Sequence, residues 1–238
     1  MVNQYQLATG DSLRLVKDMQ DESVDLIVTD PAYESLEKHR SVGTTTRLSG
    51  EWFEVITNEE LKGFIVDCYR ILKNNAHCYI MCDQETHYVV REAALACGFT
   101  WKKFLVWDKM AISTGYSWRA KHEVICYLEK GKRNLFSNSL PDVLSHKRIR
   151  NRYPTEKPVS LFNDLILNSS KPGELVFDAF VGSGASMDAA LSLGRDVIGF
   201  EKKESQREGI ISRMEGNHPD AIYSDSLLQP RMQLQLAV

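Results

Sequence analysis

The run Ser23-Val24-Asp25-Leu26-Ile27-Val28-Thr29-Asp30-Pro31-Ala32-Tyr33 constrains this chain more than any other stretch. Val24, Leu26 and Val28 interleave with Asp25 and Ile27. A short apolar run rich in β-branched residues reads as a buried strand. It stops at Asp30-Pro31, because proline cannot donate to a ladder and keeps the preceding residue extended. An acid, a proline carbonyl and an aromatic ring are therefore left at the carboxyl end of a strand. In open α/β sheets that edge binds ligands. Taken alone, Asp30 to Tyr33 would read as a polar strand end followed by a turn.

A second signal downstream changes that balance. Leu175-Val176-Phe177 is another apolar strand, and it runs through Asp178-Ala179-Phe180-Val181 into Gly182-Ser183-Gly184. Glycines let a ligand approach the backbone, and the start of the following helix offers free N–H groups. The next strand, Asp196 to Phe200, ends at Glu201, where an acid is placed to bind ribose hydroxyls. The full dinucleotide fingerprint needs a third glycine, and Met187 stands in its place. The pattern is that of a nucleoside site.

Between these signals, strands and helices alternate. Strands are expected at Gln4–Ala8, His77–Cys82, Trp101–Trp107 and His122–Leu128. Helices are expected from Leu13 to Met19, from Asn58 to Lys73-Asn74-Asn75, from Thr86 to Ala96, from Pro158 to Leu167, from the glycine turn to Leu193, and from Ser205 to Met214. Asp11 or Ser12 is the candidate cap of the first, and Thr57 or Asn58 of the second. Glu34 to Gly50 reads as a long loop, Leu135 to Arg152 shows no clear period, and Gln229 to Val238 reads as a tail. This alternation predicts an α/β fold with a mainly parallel, doubly wound sheet.

The chain has 238 residues, enough for one large domain. No apolar run approaches the length of a membrane span, and the first eleven residues lack a signal-peptide pattern, so a cytoplasmic protein is expected. The five cysteines, Cys68, Cys78, Cys82, Cys97 and Cys126, argue against a disulfide framework. Cys78 and Cys82 lie about 13 Å apart if both are on one strand, too far to share a metal. Buried thiols are expected, and no metal. The net charge of −3 hides an asymmetry. Thr100 to Lys157 carries 13 basic and 5 acidic residues, leaving 16 basic and 27 acidic elsewhere. A local basic surplus in an acidic chain points to a polyanion.

Three motifs in this order, Asp30-Pro31-Ala32-Tyr33, Tyr153-Pro154-Thr155-Glu156-Lys157-Pro158 and Asp178 to Gly184, resemble the amino-group DNA methyltransferases. In that family, a catalytic motif preceding the cofactor motif around Gly182 marks the β class. Trp107-Asp108-Lys109 also resembles a family element. The resemblance covers most of residues 7–203 and departs in two places. Ala32 replaces a commoner second proline, and Tyr153 replaces the usual His.

The resemblance implies a methyltransferase-type sheet with a basic target-recognition insertion, in one domain over 1–238. The catalytic part is expected over about 1–108, target recognition over about 109–152 and the cofactor part over 153–225. Asp178, Phe180, Gly182, Ser183 and Gly184 would hold S-adenosyl-L-methionine, and Glu201 would bind its ribose. Thr155 and Lys157 would lie near its carboxylate, and Asp11 near its adenine, with Asp225 a competing candidate. Asp30 and the Pro31 carbonyl would accept the N–H protons of an exocyclic amine, and Tyr33 would face the extruded base. Double-stranded DNA is the expected partner, held by Arg119, Lys121, Lys147, Arg148, Arg150 and Arg152. Tyr116 and Trp118 are weighed between target contact and core packing. Because members of this class resemble homodimers, a homodimer is expected. Asp at position 30 resembles the adenine-N6 enzymes. Cytosine-N4, RNA or protein-glutamine methylation and an inactive nucleic-acid-binding relative remain alternatives.

Overall fold

The structure, a computed structural model, describes residues 2–36, 54–113, 118–150 and 155–225. The first half contains β1 (Gln4–Thr9), α1 (Ser12–Asp18), β2 (Val24–Thr29), α2 (Asn58–Ile71), β3 (Leu72–Cys82) and α3 (Thr86–Cys97). Then come β4 (Thr100–Asp108), β5 (His122–Lys130), β6 (Val143–Ser145) and α4 (Val159–Ser169). The last part contains β7 (Leu175–Asp178), α5 (Ala185–Ser192), β8 (Asp196–Glu201), α6 (Glu204–Asn217) and β9 (Ile222–Tyr223).

Among the described residues the strands form one sheet in the order β6-β4-β5-β3-β2-β7-β8-β1-β9. Only β5 runs antiparallel to its neighbours, β3 and β4. This is the doubly wound α/β fold expected from the alternation. One core layer joins α1, α2 and α3 to a sheet face through Val16, Leu61, Phe64, Ile65 and Val90. The other joins α4, α5 and α6 to the opposite face through Leu161, Leu165, Met187, Ile210 and Met214. Along β2, Ile27 faces the first layer, while Leu26 and Val28 face the second.

Local chemistry sets the element ends. The Asp11 carboxylate caps α1 by accepting the Leu13 N–H at 3.0 Å. Thr57 caps α2 in a reciprocal box with Glu60. Gly98, with φ 108°, closes α3 in the left-handed conformation expected of a terminal glycine. Pro158 lies one residue outside α4, as its N-cap.

Three boundaries differ from the sequence reading. Helix α2 stops at Ile71, and β3 starts at once, because Leu72 pairs with Val24 before a register shift brings Leu26 opposite His77. The aperiodic stretch after Leu135 contains β6, whose Leu144 is buried against β4. The two-residue β9 pairs with β1. Within region 109–152, β5 and β6 are strands of the sheet. Four cysteines are buried and Cys97 is half-buried, all as free thiols. No helix among the described residues is long and apolar enough to cross a membrane.

Gly199 on β8 lets the segment after β7 and helix α5 close onto the sheet. A Cβ there would meet Val181 Cγ2 at 2.5 Å and Met187 Sδ at 2.6 Å. Overpacking of this kind costs roughly 1–3 kcal/mol. Gly199→Ala is therefore expected to lower unfolding free energy by about that amount in urea titration.

Candidate active site

Strand β7 leads through α5 to β8 on one side, and β2 leads through α2 to β3 on the other. The two strands pair directly, Leu26 with Val176 and Ile27 with Phe177. Their carboxyl ends therefore flank the point where the chain's direction of travel reverses, which is where such sheets open a crevice. A cleft of about 330 Å³ lies there. Of the residues singled out in the sequence, Asp11, Asp30, Pro31, Tyr33, Thr155, Lys157, Asp178, Phe180, Gly182, Ser183 and Glu201 all line it.

At one end, Glu201 closes β8 with only 8% of its surface exposed. Its carboxylate accepts the Gly182 N–H at 3.0 Å and the Lys203 N–H at 2.9 Å. Gly182 has φ 55°, a left-handed turn that suits glycine. The Asp178 carboxylate accepts from Thr29 Oγ1 at 2.8 Å, the Phe180 N–H at 2.9 Å and Ser186 Oγ at 2.5 Å. Burial pushes its pKa up to about 6 against these donors. Asp178 thus shapes the turn from beneath. Gly184, with φ 86°, does not line the cleft, and its missing Cβ makes room for Ile210 and Arg213 of α6. Its place in the site is to turn and pack. Asp225 is also absent from the cleft lining, whereas Asp11 is part of it.

At the other end stands Asp30, just past β2. Lys157 Nζ donates to its Oδ2 and also lies 3.3 Å from Glu123 Oε2. Lys109 Nζ lies 3.5 Å from Glu123 Oε1, and Lys157 sits 6.0 Å from the Trp107 ring centroid. Burial raises the Asp30 pKa, Lys157 opposes it, and Glu123 adds to the rise. Burial also works against charge on Glu123, but Lys157 and Lys109 outweigh it and hold its carboxyl below the usual range. Facing two carboxylates, Lys157 is held more firmly protonated despite its own burial. The resemblance places Lys157 beside the cofactor carboxylate, whereas its ion partners here are Asp30 and Glu123. Tyr33 is buried at 8% exposure and bridges to Ile56, and burial raises its hydroxyl pKa. Thr155 has φ 66°. Among the described residues nothing donates to the Pro31 carbonyl.

Sequence reasoning missed Glu123, an acid at the mouth of an apolar strand. Because β5 runs antiparallel, its first residues reach the same edge as the carboxyl ends of β2 and β7. The basic residues lie outside the cleft lining. Arg119, Lys147 and Arg150 are exposed, Lys121 pairs with Asp108 at 2.9 Å, and the Arg148 N–H bonds the Lys109 carbonyl. Part of the local surplus is met by acids outside the segment, in the pairs Lys130–Glu22, Arg133–Glu174 and Lys157–Asp30. Trp118 is fully exposed, so core packing is excluded for it. Arg152, Tyr116, Tyr153 and Pro154 lie outside the described residues.

A twisted sheet with a glycine turn, a strand-end acid and a second acid across one cleft defines a class of group-transfer enzymes built for a nucleoside cofactor. Residues 24–212 match a family model described as DNA methylase. The chain belongs to the N6/N4 DNA methyltransferase family. YubD of Escherichia coli strain K12, named as a methylase, is 34% identical over 197 residues, covering 82% of this chain and 83% of that protein. The DNA adenine methyltransferase YhdJ from the same strain is 29% identical over 234 residues, covering 81% and 76%. In fold, the chain is similar to the M1.HpyAVI–SAM complex (TM-score 0.69, 21% identity, covering 88% of this chain and 99% of that one). It is also similar to the cytosine-N4-specific PvuII DNA methyltransferase (TM-score 0.70, 16% identity, covering 90% and 87%).

The donor set fits the cofactor. A nearly buried acid suits a ribose diol, a glycine turn admits close approach, and the cleft runs on to Asp30. Glu201→Ala is expected to weaken S-adenosylmethionine binding by about tenfold or more in calorimetry, since a charged hydrogen bond contributes on the order of 1.5–3 kcal/mol. Lys157→Met removes the charge that opposes the burial of Asp30, so its pKa rises further. Activity that needs the carboxylate is lost as pH falls through that value. The acid limb of the pH–rate profile is therefore expected to move to higher pH, and an unmoved limb would mean that Lys157 does not set the charge of Asp30.

Proposed function

We propose that this enzyme methylates the exocyclic N6 amine of adenine in a short site of double-stranded DNA, acting on a base extruded from the duplex. The observation that carries this reading is Asp30, held by Lys157 at the far end of the cofactor cleft, beside a Pro31 carbonyl left without a described donor. The amine lone pair is delocalised into the base. When Asp30 and the Pro31 carbonyl accept its two N–H protons, nitrogen becomes pyramidal and the lone pair turns outward. The bound cofactor supplies an electrophilic methyl group. Transfer of the methyl group would leave a neutral thioether, and the surplus proton on nitrogen would pass to the Asp30 carboxylate that already accepts it. Alignment and electrostatics supply the rate. Gly182, Ser183 and Glu201 hold the nucleoside end, with Asp11 toward the adenine. Tyr33 flanks the base at the edge of the cleft. The acid at position 30 and the adenine methyltransferase named among the relatives support N6 over N4.

Sequencing of modified bases in DNA from cells expressing the chain tests this directly. N6-methyladenine in one short motif is expected, and N4-methylcytosine would overturn the choice of base. Asp30→Ala is expected to abolish transfer while leaving cofactor affinity near wild type in calorimetry.

We further propose that Arg119, Lys121 and the Lys147–Arg150 cluster bind DNA phosphates, since they cluster on the basic segment near the β4–β5 end of the sheet. Replacing Lys147, Arg148 and Arg150 with Ala should lower affinity for all duplexes. The slope of log affinity against log salt should flatten by roughly 0.9 for each phosphate that is no longer neutralised. Proposed as a homodimer, the enzyme should show twice its monomer mass in light scattering.

A further inference from the structure

A second polar cluster lies beneath the cleft, on α6, a helix that contributes no residue to the site described above. Arg213 Nη1 donates to Glu156 Oε1 at 2.9 Å and to the Ser183 carbonyl at 3.0 Å. Its Nε donates to Asp188 Oδ2 at 3.0 Å. Asp188, in the first turn of α5, also accepts from Asn217 Nδ2 at 3.0 Å and pairs with His218 Nε2 at 2.7 Å. The carboxylates are almost fully covered, with Glu156 at 4% and Asp188 at 8% side-chain exposure. The Arg213 stem packs over Gly184, where a Cβ would stand in ordinary contact 3.5 Å from Arg213 Cδ.

One guanidinium therefore bonds three separate stretches of chain: the Thr155-Glu156-Lys157 loop, the glycine turn and α5. Both loops line the cofactor cleft from opposite stretches of sequence. Neither backbone hydrogen bonds nor sheet pairing joins them among the described residues. Lys157, next to Glu156, is the residue that grips Asp30.

We propose that Arg213 is a positioning residue for the cofactor: it braces the Thr155–Lys157 loop against the glycine turn and so fixes the spacing of the cleft walls. Arginine suits the task because its planar fork reaches several acceptors at once, whereas a lysine ammonium is a point charge on a flexible stem. Charge alone is thus insufficient. The brace acts on the cofactor before chemistry, so its loss appears in cofactor affinity and not in the transfer step.

The proposal rests on the reading that this cleft holds S-adenosylmethionine, and the test separates the two. Arg213→Lys, Arg213→Met, Glu156→Ala and the Arg213→Lys/Glu156→Ala double variant are compared in steady-state kinetics, calorimetry with S-adenosylmethionine and thermal unfolding. Glu201→Ala serves as the reference for the cleft itself. The lysine variant keeps the charge and the Asp188 pairing, so it should fold even if the methionine variant does not. Expected for Arg213→Lys is a rise of about tenfold in cofactor KM and Kd, the loss of one charge-assisted hydrogen bond, with kcat at saturating cofactor near wild type. Glu156→Ala should match it, and the double variant should be no worse than either, because both remove the same brace. Wild-type cofactor affinity in Arg213→Lys, or a fall in kcat with KM unchanged, overturns the proposal. If Glu201→Ala weakens binding and Arg213→Lys does not, the brace fails and the site stands. If Glu201→Ala has no effect, the cleft reading itself fails.

Discussion

The parallel pairing of β2 with β7 at the centre of the sheet is the interaction on which the rest depends. Thr29, the last residue of β2, donates to the Asp178 carboxylate at the end of β7, and its Oγ1 in turn accepts the Ala179 N–H at 3.3 Å. A single hydroxyl thus ties the strand that carries Asp30 to the start of the glycine turn. The chain leaves these two ends in opposite directions, which is where such sheets open a crevice. The second tie, from Ser12 Oγ to the Ala179 carbonyl, brings the start of α1 and its cap Asp11 to the same edge.

The ionic arrangement around Asp30 solves a conflict. A carboxylate in a closed cleft loses hydration, and burial alone would neutralise it. Lys157 opposes that effect at close range, and a buried ammonium in turn needs compensation, which Asp30 and Glu123 share. Lys109 then balances Glu123. Such chains of buried charge add little net stability, and removing one member leaves an uncompensated ion.

What can be read from the sequence is what lies at strand ends. Asp30, Asp178, Gly182 and Glu201 each terminate an apolar run, so local pattern and the geometry of open sheets locate them together. The partners of these residues are not legible there. Lys157 meets Asp30 across 127 positions, and nothing in the spacing favours that acid over a cofactor carboxylate. Glu123 reaches the cleft only because β5 runs antiparallel, which periodicity does not encode. Gly184 reads as a cofactor neighbour because the turn and packing roles of glycine look alike in sequence. Strands β6 and β9 are three and two residues long, too short for an alternating pattern to register. The charge surplus around Thr100 to Lys157 is met in part by acids elsewhere in the chain, Glu22, Glu174 and Asp30, and in part faces solvent, as at Arg119, Lys147 and Arg150.

The central claim is that one cleft carries the cofactor at its Glu201 end and delivers the reacting methyl to its Asp30 end. A crystal structure of the chain with S-adenosylmethionine bound tests it most directly. The account predicts ribose hydroxyls on the Glu201 carboxylate and the sulfonium methyl directed toward the space in front of Asp30 and the Pro31 carbonyl. A cofactor bound with its ribose away from Glu201, or with its methyl pointing away from Asp30, would contradict it.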